Sequence, residues 1–88
     1  MIDIIRAKYP KLFLKTTEEF DGSENGIWSS GENGDQATDE RPLFDYYAQD
    51  YNEEIYIFGV HKEIRELLEE HGWFAEWHDA GTIMFYPE

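Results

Sequence analysis

No cysteine occurs anywhere in the chain. Disulfides, thiolate metal sites and cysteine nucleophiles are therefore excluded, and with them the staples on which small secreted domains commonly depend. Basic residues are scarce: seven lysines and arginines face twenty aspartates and glutamates. Phosphate contacts need lysine and arginine, so the deficit argues against nucleic acid as a direct ligand and against anionic membrane surfaces. Long apolar runs are missing too. The longest, Ile55–Val60, falls far short of the roughly 20 residues a membrane helix requires. At the N-terminus, Asp3 and Arg6 interrupt the stretch where a secretory leader would carry its apolar segment. The expectation is a soluble, cytoplasmic protein.

What is present is acid and aromatic. The formal net charge is −13 over 88 residues, with three Trp, six Tyr and six Phe. A disordered acidic tail would lack those rings. Each buried ring removes on the order of 150–250 Å² from water, which suits a small chain with a limited core. The acid is also concentrated. Residues 1–15 carry one acid and four bases, residues 16–61 carry twelve acids and the single base Arg41, and residues 62–88 carry seven acids and two bases. A block of this kind draws basic partners and speeds their association at low salt; the plain alternative is a solvated face that keeps the protein dispersed.

The pattern along the chain predicts one α+β domain over residues 1–88, with about four strands in an antiparallel or mixed sheet and two or three helices on one face. A short helix is expected over 3–9, closed by Pro10. Lys11–Thr17 reads as a strand. Residues 21–41 form a loop-rich acidic segment, and 31–40, which lack apolar periodicity, read as mobile or ordered only by a partner. Pro42 suits a first helical turn, and Leu43, Phe44, Tyr47 and Tyr51 follow at helical spacing, predicting a helix over 42–50. Ile55–Val60 reads as a fully apolar central strand. Lys62–His71 is the clearest helix: Ile64, Leu67, Leu68 and His71 share a face, Lys62–Glu66 and Arg65–Glu69 are i,i+4 pairs, and Gly72 is the stop. Trp73–His78 and Thr82–Tyr86 read as a hairpin around Asp79-Ala80-Gly81, with Gly81 supplying a positive φ.

Few residues point to chemistry. His61, His71 and His78 stand near Glu70, Glu76 and Asp79, but no pair has the i,i+4 spacing of a zinc helix. No phosphate loop, dinucleotide fingerprint or nucleophile elbow is present, so an enzyme is not expected and no cofactor is implied. Asp21–Glu32 is similar to a calcium-binding EF-hand loop, with oxygen side chains at Asp21, Ser23, Asn25 and Ser29, glycine at Gly26 and an acid at Glu32. Trp28 stands where a small aliphatic residue is usual, and Asn33-Gly34-Asp35 opposes an exit helix, so a turn between strands is the plainer reading. Trp28, Tyr46, Tyr47, Tyr51, Trp73, Trp77 and Tyr86 are candidates for an interface, since Trp and Tyr dominate binding hot spots.

The strings Phe58-Gly59-Val60-His61-Lys62-Glu63 and Gly72-Trp73-Phe74-Ala75-Glu76-Trp77-His78-Asp79-Ala80-Gly81-Thr82-Ile83-Met84, with Gly26-Ile27-Trp28 and Pro42-Leu43-Phe44-Asp45-Tyr46-Tyr47, resemble small acidic uncharacterised proteins encoded by bacteriophages and prophages. These have no assigned activity, so the resemblance implies a setting, the bacterial host cytoplasm, and no functional residue. In that setting the charge block predicts a non-enzymatic interaction module for a basic host protein. Its sharpest form is a DNA mimic, whose carboxylates compete for the cations that phosphates would meet. Asp35, Asp39, Glu40, Asp45, Asp50, Glu53 and Glu54 are the expected partner-binding residues. The alternatives are a structural or assembly protein, which a homodimer would favour, and a calcium-binding protein acting through residues 21–32.

Overall fold

A computed structural model describes residues 1–20, 22, 25–30, 36–47 and 52–88. The first helix, α1 (Ile2–Lys8), places Asp3 in its first turn and Arg6 and Lys8 in its last, each sign opposite to the helix end it meets. Ile5 is fully buried, and the chain leaves the helix at Tyr9 with φ −128°, as the following proline demands. Lys11–Thr17 is not the strand its apolar content predicts. Only β1 (Lys15–Thr16) pairs, and Thr17 already opens the single helical turn α2 (Thr17–Phe20). Leu12 and Leu14 are buried as core residues outside the ladder.

The main sheet adds β2 (Ile27–Ser30), β5 (Trp73–Asp79) and β6 (Thr82–Pro87), in the spatial order β1-β2-β6-β5 and antiparallel throughout. Side-chain alternation sends Ile27, Ile83 and Phe85 inward, where all are buried, with Trp73, Ala75 and Trp77 packed beside them. The long helix α3 (Lys62–Glu70) covers this face with Ile64 and Leu68. Each such buried side chain contributes about 1.5–3 kcal/mol by leaving water. Gly72, at φ 73°, ends the helix and feeds β5 directly. The terminal hairpin forms as its pattern predicts, but Gly81 does not take a positive φ. A bulge between Trp77 and Asp79 and a bond from the Gly81 amide to the Asp79 carboxylate make the turn instead.

Two expectations fail between the sheets. Residues 42–47 are not helical: Phe44 bridges Val60, and Leu43 and Phe44 enter the core from an extended segment. Tertiary burial has overridden a spacing that matched a helix; the end of that predicted helix, residues 48–50, lies outside the described residues. Ile55–Val60 is not one central strand. It folds into a separate hairpin, β3 (Tyr56–Ile57) and β4 (Val60–His61), reversed at Phe58-Gly59. Both turn residues have positive φ, 50° and 74°, the arrangement of a two-residue hairpin turn whose twist matches its strands. Glycine is required at the second position, because a Cβ there would lie 2.7 Å from the Asp45 carbonyl oxygen. No helix among the described residues is long and apolar enough to cross a membrane.

Candidate functional site

The acidic middle of the chain is tied down at several points. The Leu43 carbonyl accepts from the His61 amide at 2.8 Å, the Asp45 amide donates to Gly59 O at 2.7 Å, and the Tyr56 hydroxyl donates to Pro42 O at 2.6 Å. These bonds hold the 36–47 segment against the β3–β4 hairpin. Residues 36–40 are therefore ordered within the protein: Gln36 bridges Pro42 and Ala37 is buried. Of the segment 31–40, expected to be mobile or ordered only by a partner, residues 36–40 thus pack against the protein, and 31–35 lie outside the described residues.

One carboxylate organises the region. Glu63, in the first turn of α3, accepts from the Tyr9 hydroxyl at 2.8 Å, from the Thr38 hydroxyl at 2.6 Å and from the Thr38 amide at 3.0 Å, with Lys8 Nζ 3.7 Å away. Partial burial pushes its carboxyl up. The Thr38 and Tyr9 bonds and the Lys8 charge outweigh that effect and hold it below the ordinary range. Beside it, His61 is 1% exposed and caps α3, its Nδ1 accepting from the Glu63 amide at 3.0 Å. An accepting Nδ1 places the ring proton on Nε2, which lies 3.0 Å from Asp39 Oδ2. That bond from His61 is the chief reason the Asp39 carboxyl is held low. Partial desolvation opposes it, while the Arg41 amide and charge add to it. Both His61 nitrogens are thus committed, so the Asp39–His61 pair lacks the free nitrogen a general base needs. Its geometry is that of a clasp.

The predicted partner-binding residues separate into groups. Asp39 is spent largely on His61 and on Arg41, 3.5 Å away. Asp45 is half-buried beside the Phe58-Gly59 turn. Glu40, at φ 67°, and Glu53 and Glu54 are exposed on the two segments that the Tyr56–Pro42 bond joins. Asp35 and Asp50 lie outside the described residues. Of the calcium-like loop, Asp21, Ser23 and Glu32 also lie outside them. Asn25 is described and sits in a tight reversal at φ 66°, its amide donating to the Glu18 carboxylate. Residues 27–30 form a strand paired with β6 throughout and with β1 at Ile27 and Trp28, which an isolated helix–loop–helix would not provide. Among the described residues no three His, Cys, Asp or Glu side chains gather where they could hold a metal ion. His71 contacts the Leu67 carbonyl from Nδ1 at 2.9 Å, closing the C-terminal end of α3.

Beside the carboxylates lies an aromatic surface that the sequence revealed only in part. Phe58 is 89% exposed, Tyr47 69% and Tyr46 46%. Tyr46 meets Trp77 edge-to-face, ring centroids 5.0 Å apart, and the Trp77 indole donates to Phe58 O at 2.6 Å. Tyr46, Tyr47 and Trp77 were candidates from residue type. Phe58 was hidden inside an apolar run, and the dipeptide Phe-Gly was its only signal. No family model, no curated protein and no solved structure matches the chain.

Proposed function

We propose that the protein is a non-enzymatic interaction module that binds a basic partner protein through its acidic surface. The observation that carries this reading is the exposure of Glu40, Glu53 and Glu54 on two segments joined by the Tyr56–Pro42 bond, within a stretch holding twelve acids and one base. Carboxylates presented from an ordered scaffold lose less entropy on meeting lysine and arginine than carboxylates on a free tail. The sharpest form is a DNA mimic of phage origin, occupying the cationic groove of a host nucleic-acid-binding protein in the bacterial cytoplasm. Asp39 serves this surface indirectly, by holding the 38–41 turn in place.

The test is capture from a bacterial lysate at low and high salt, using the wild-type chain and a Glu40→Gln/Glu53→Gln/Glu54→Gln variant. A basic protein retained at low salt, released at high salt and held about tenfold less tightly by the variant is the expected result, given about 0.2–1 kcal/mol for each exposed charge pair. Equal retention by both chains would remove these carboxylates from the interface.

A further inference from the structure

Among the described residues no strand pairs with the outer edge of β5, and that edge borders a groove. The bond from the Glu88 amide to Gly72 O, 2.8 Å, sets the phase of the β5–β6 ladder. Hydrogen-bonded and non-bonded pairs alternate in an antiparallel ladder, so Phe74 and Glu76 bond to β6 while the backbone groups of Trp73, Ala75 and Trp77 point away from it. Among the described residues no other backbone bond reaches those three. The groove beside them has a volume of about 130 Å³ and is walled by Ile57, Phe58, Val60, Leu68, Trp73 and Trp77. That is slightly smaller than an engineered cavity of about 150 Å³ that admits benzene, and it suits one aliphatic side chain.

Natural sheets blunt their edges with lysine, proline, bulges or short strands. Between Trp73 and Trp77 there is no lysine, no proline and no bulge. The wall residue Phe58 is held at φ 50° although it is a bulky aromatic and 89% exposed. Left-handed backbone at such a residue is a true outlier, and strain of this kind collects at ligand clamps.

Charge identifies the occupant. Glu69 and Glu88 line the groove, Glu76 lies on β5 itself, and Arg65, which also lines the groove, is already bonded to Glu69 at 3.0 Å. A second copy would bring net charge −13 against −13 and is disfavoured. We infer that β5 accepts an extended basic peptide segment as a fifth strand, with one aliphatic side chain of that segment seated between Phe58, Leu68 and Trp77. Main-chain bonds to Trp73, Ala75 and Trp77 supply affinity, and the pocket and acidic rim supply selectivity. The sign of the segment's charge rests on the basic-partner reading; its strand geometry does not.

The probe is a seven-residue peptide alternating lysine with valine around a central leucine. Its control carries the same side chains but is N-methylated on alternate residues, which blocks strand pairing and leaves charge unchanged. Binding of the first, with amide shifts centred on Trp73, Ala75 and Trp77 and about tenfold weaker binding of the control, is the expected result for two or three main-chain bonds. Ala75→Pro should abolish the difference between the peptides without disturbing the ladder, because the lost N–H faces outward. Phe58→Asn, which suits left-handed backbone and so keeps the fold, should weaken the plain peptide severalfold. Equal affinity for the two peptides would overturn strand addition and leave the basic-partner reading standing. Binding of neither at low salt would overturn this proposal, while the Glu40, Glu53 and Glu54 surface keeps its own test. A concentration-dependent dimer sealed through β5 would replace the peptide by a second copy and overturn the proposal.

Discussion

The main sheet ends in β1 on one side and in β5 on the other, and the two edges are built on opposite plans. β1 offers two residues, Lys15 and Thr16, and α2 takes over immediately after them. A short strand with a lysine is a poor template for another chain. β5 offers the five residues Trp73 to Trp77 ahead of its bulge, an apolar groove and a strained aromatic at the rim. Both edges belong to one sheet and draw on one core, so the difference is not imposed by the fold. It shows that protection of an edge is a local matter of strand length and residue type, and that the guarded edge of this protein makes the unguarded one informative.

The largest effect should come from removing what both edges share. Phe85 is fully buried on β6 and pairs with Ile27 on one side and Ala75 on the other. Phe85→Ala should cost about 3–5 kcal/mol in a denaturant melt and destabilise both edges together. A smaller loss is expected at the turn beside the open edge. Gly59→Ala, with φ 74° and its Cβ 2.7 Å from a carbonyl oxygen, should cost about 1–3 kcal/mol. Phe58→Asn should leave thermal stability unchanged or raise it, because asparagine tolerates left-handed backbone.

Acid should act where Glu63 and Asp39 hold the middle segment. Asp39 and Glu63 are both held below their ordinary values of 3.8 and 4.5 in the folded chain. The unfolded chain therefore takes up protons first, so the stability these groups contribute is present above those values and is lost as the pH falls through the lower folded ones. Melts at successive pH values should show a decline below about pH 4.5, and Glu63→Gln should flatten it. The finest test is hydrogen exchange along β5. The amides of Phe74 and Glu76 should be protected and those of Trp73, Ala75 and Trp77 should exchange quickly. Uniform protection would mean that something already covers the edge.

Where periodicity and stop signals agreed, the sequence was read well. Ile64 and Leu68 face the core on a helix that Gly72 ends, and the terminal hairpin follows in register. The α+β class and the four-stranded sheet were legible for that reason. Over 42–47 the helical spacing misleads because Leu43 and Phe44 are apolar for the sake of a distant core, and their spacing imitates a helical face. The 55–60 strand was misread because apolar continuity masked a reversal at Phe58-Gly59. The charge of Asp39 was visible, but its engagement with His61, 22 residues away, is a product of tertiary structure. No local pattern announces a histidine as the cap of α3, since serine, threonine, aspartate and asparagine are the usual residues there.

Glu63 joins segments that are far apart along the chain: Thr38 is 25 residues away and Tyr9 is 54. Contacts of such separation close late, because the intervening loops must be ordered before the bonds repay them. The carboxylate's bonds are therefore expected to close after the terminal hairpin and α3, which form from local contacts. Its loss should leave the refolding rate nearly unchanged and hasten unfolding. Folding and unfolding rates of Glu63→Gln, measured side by side, check whether this acid sets how long the native state lasts more than how quickly it is reached.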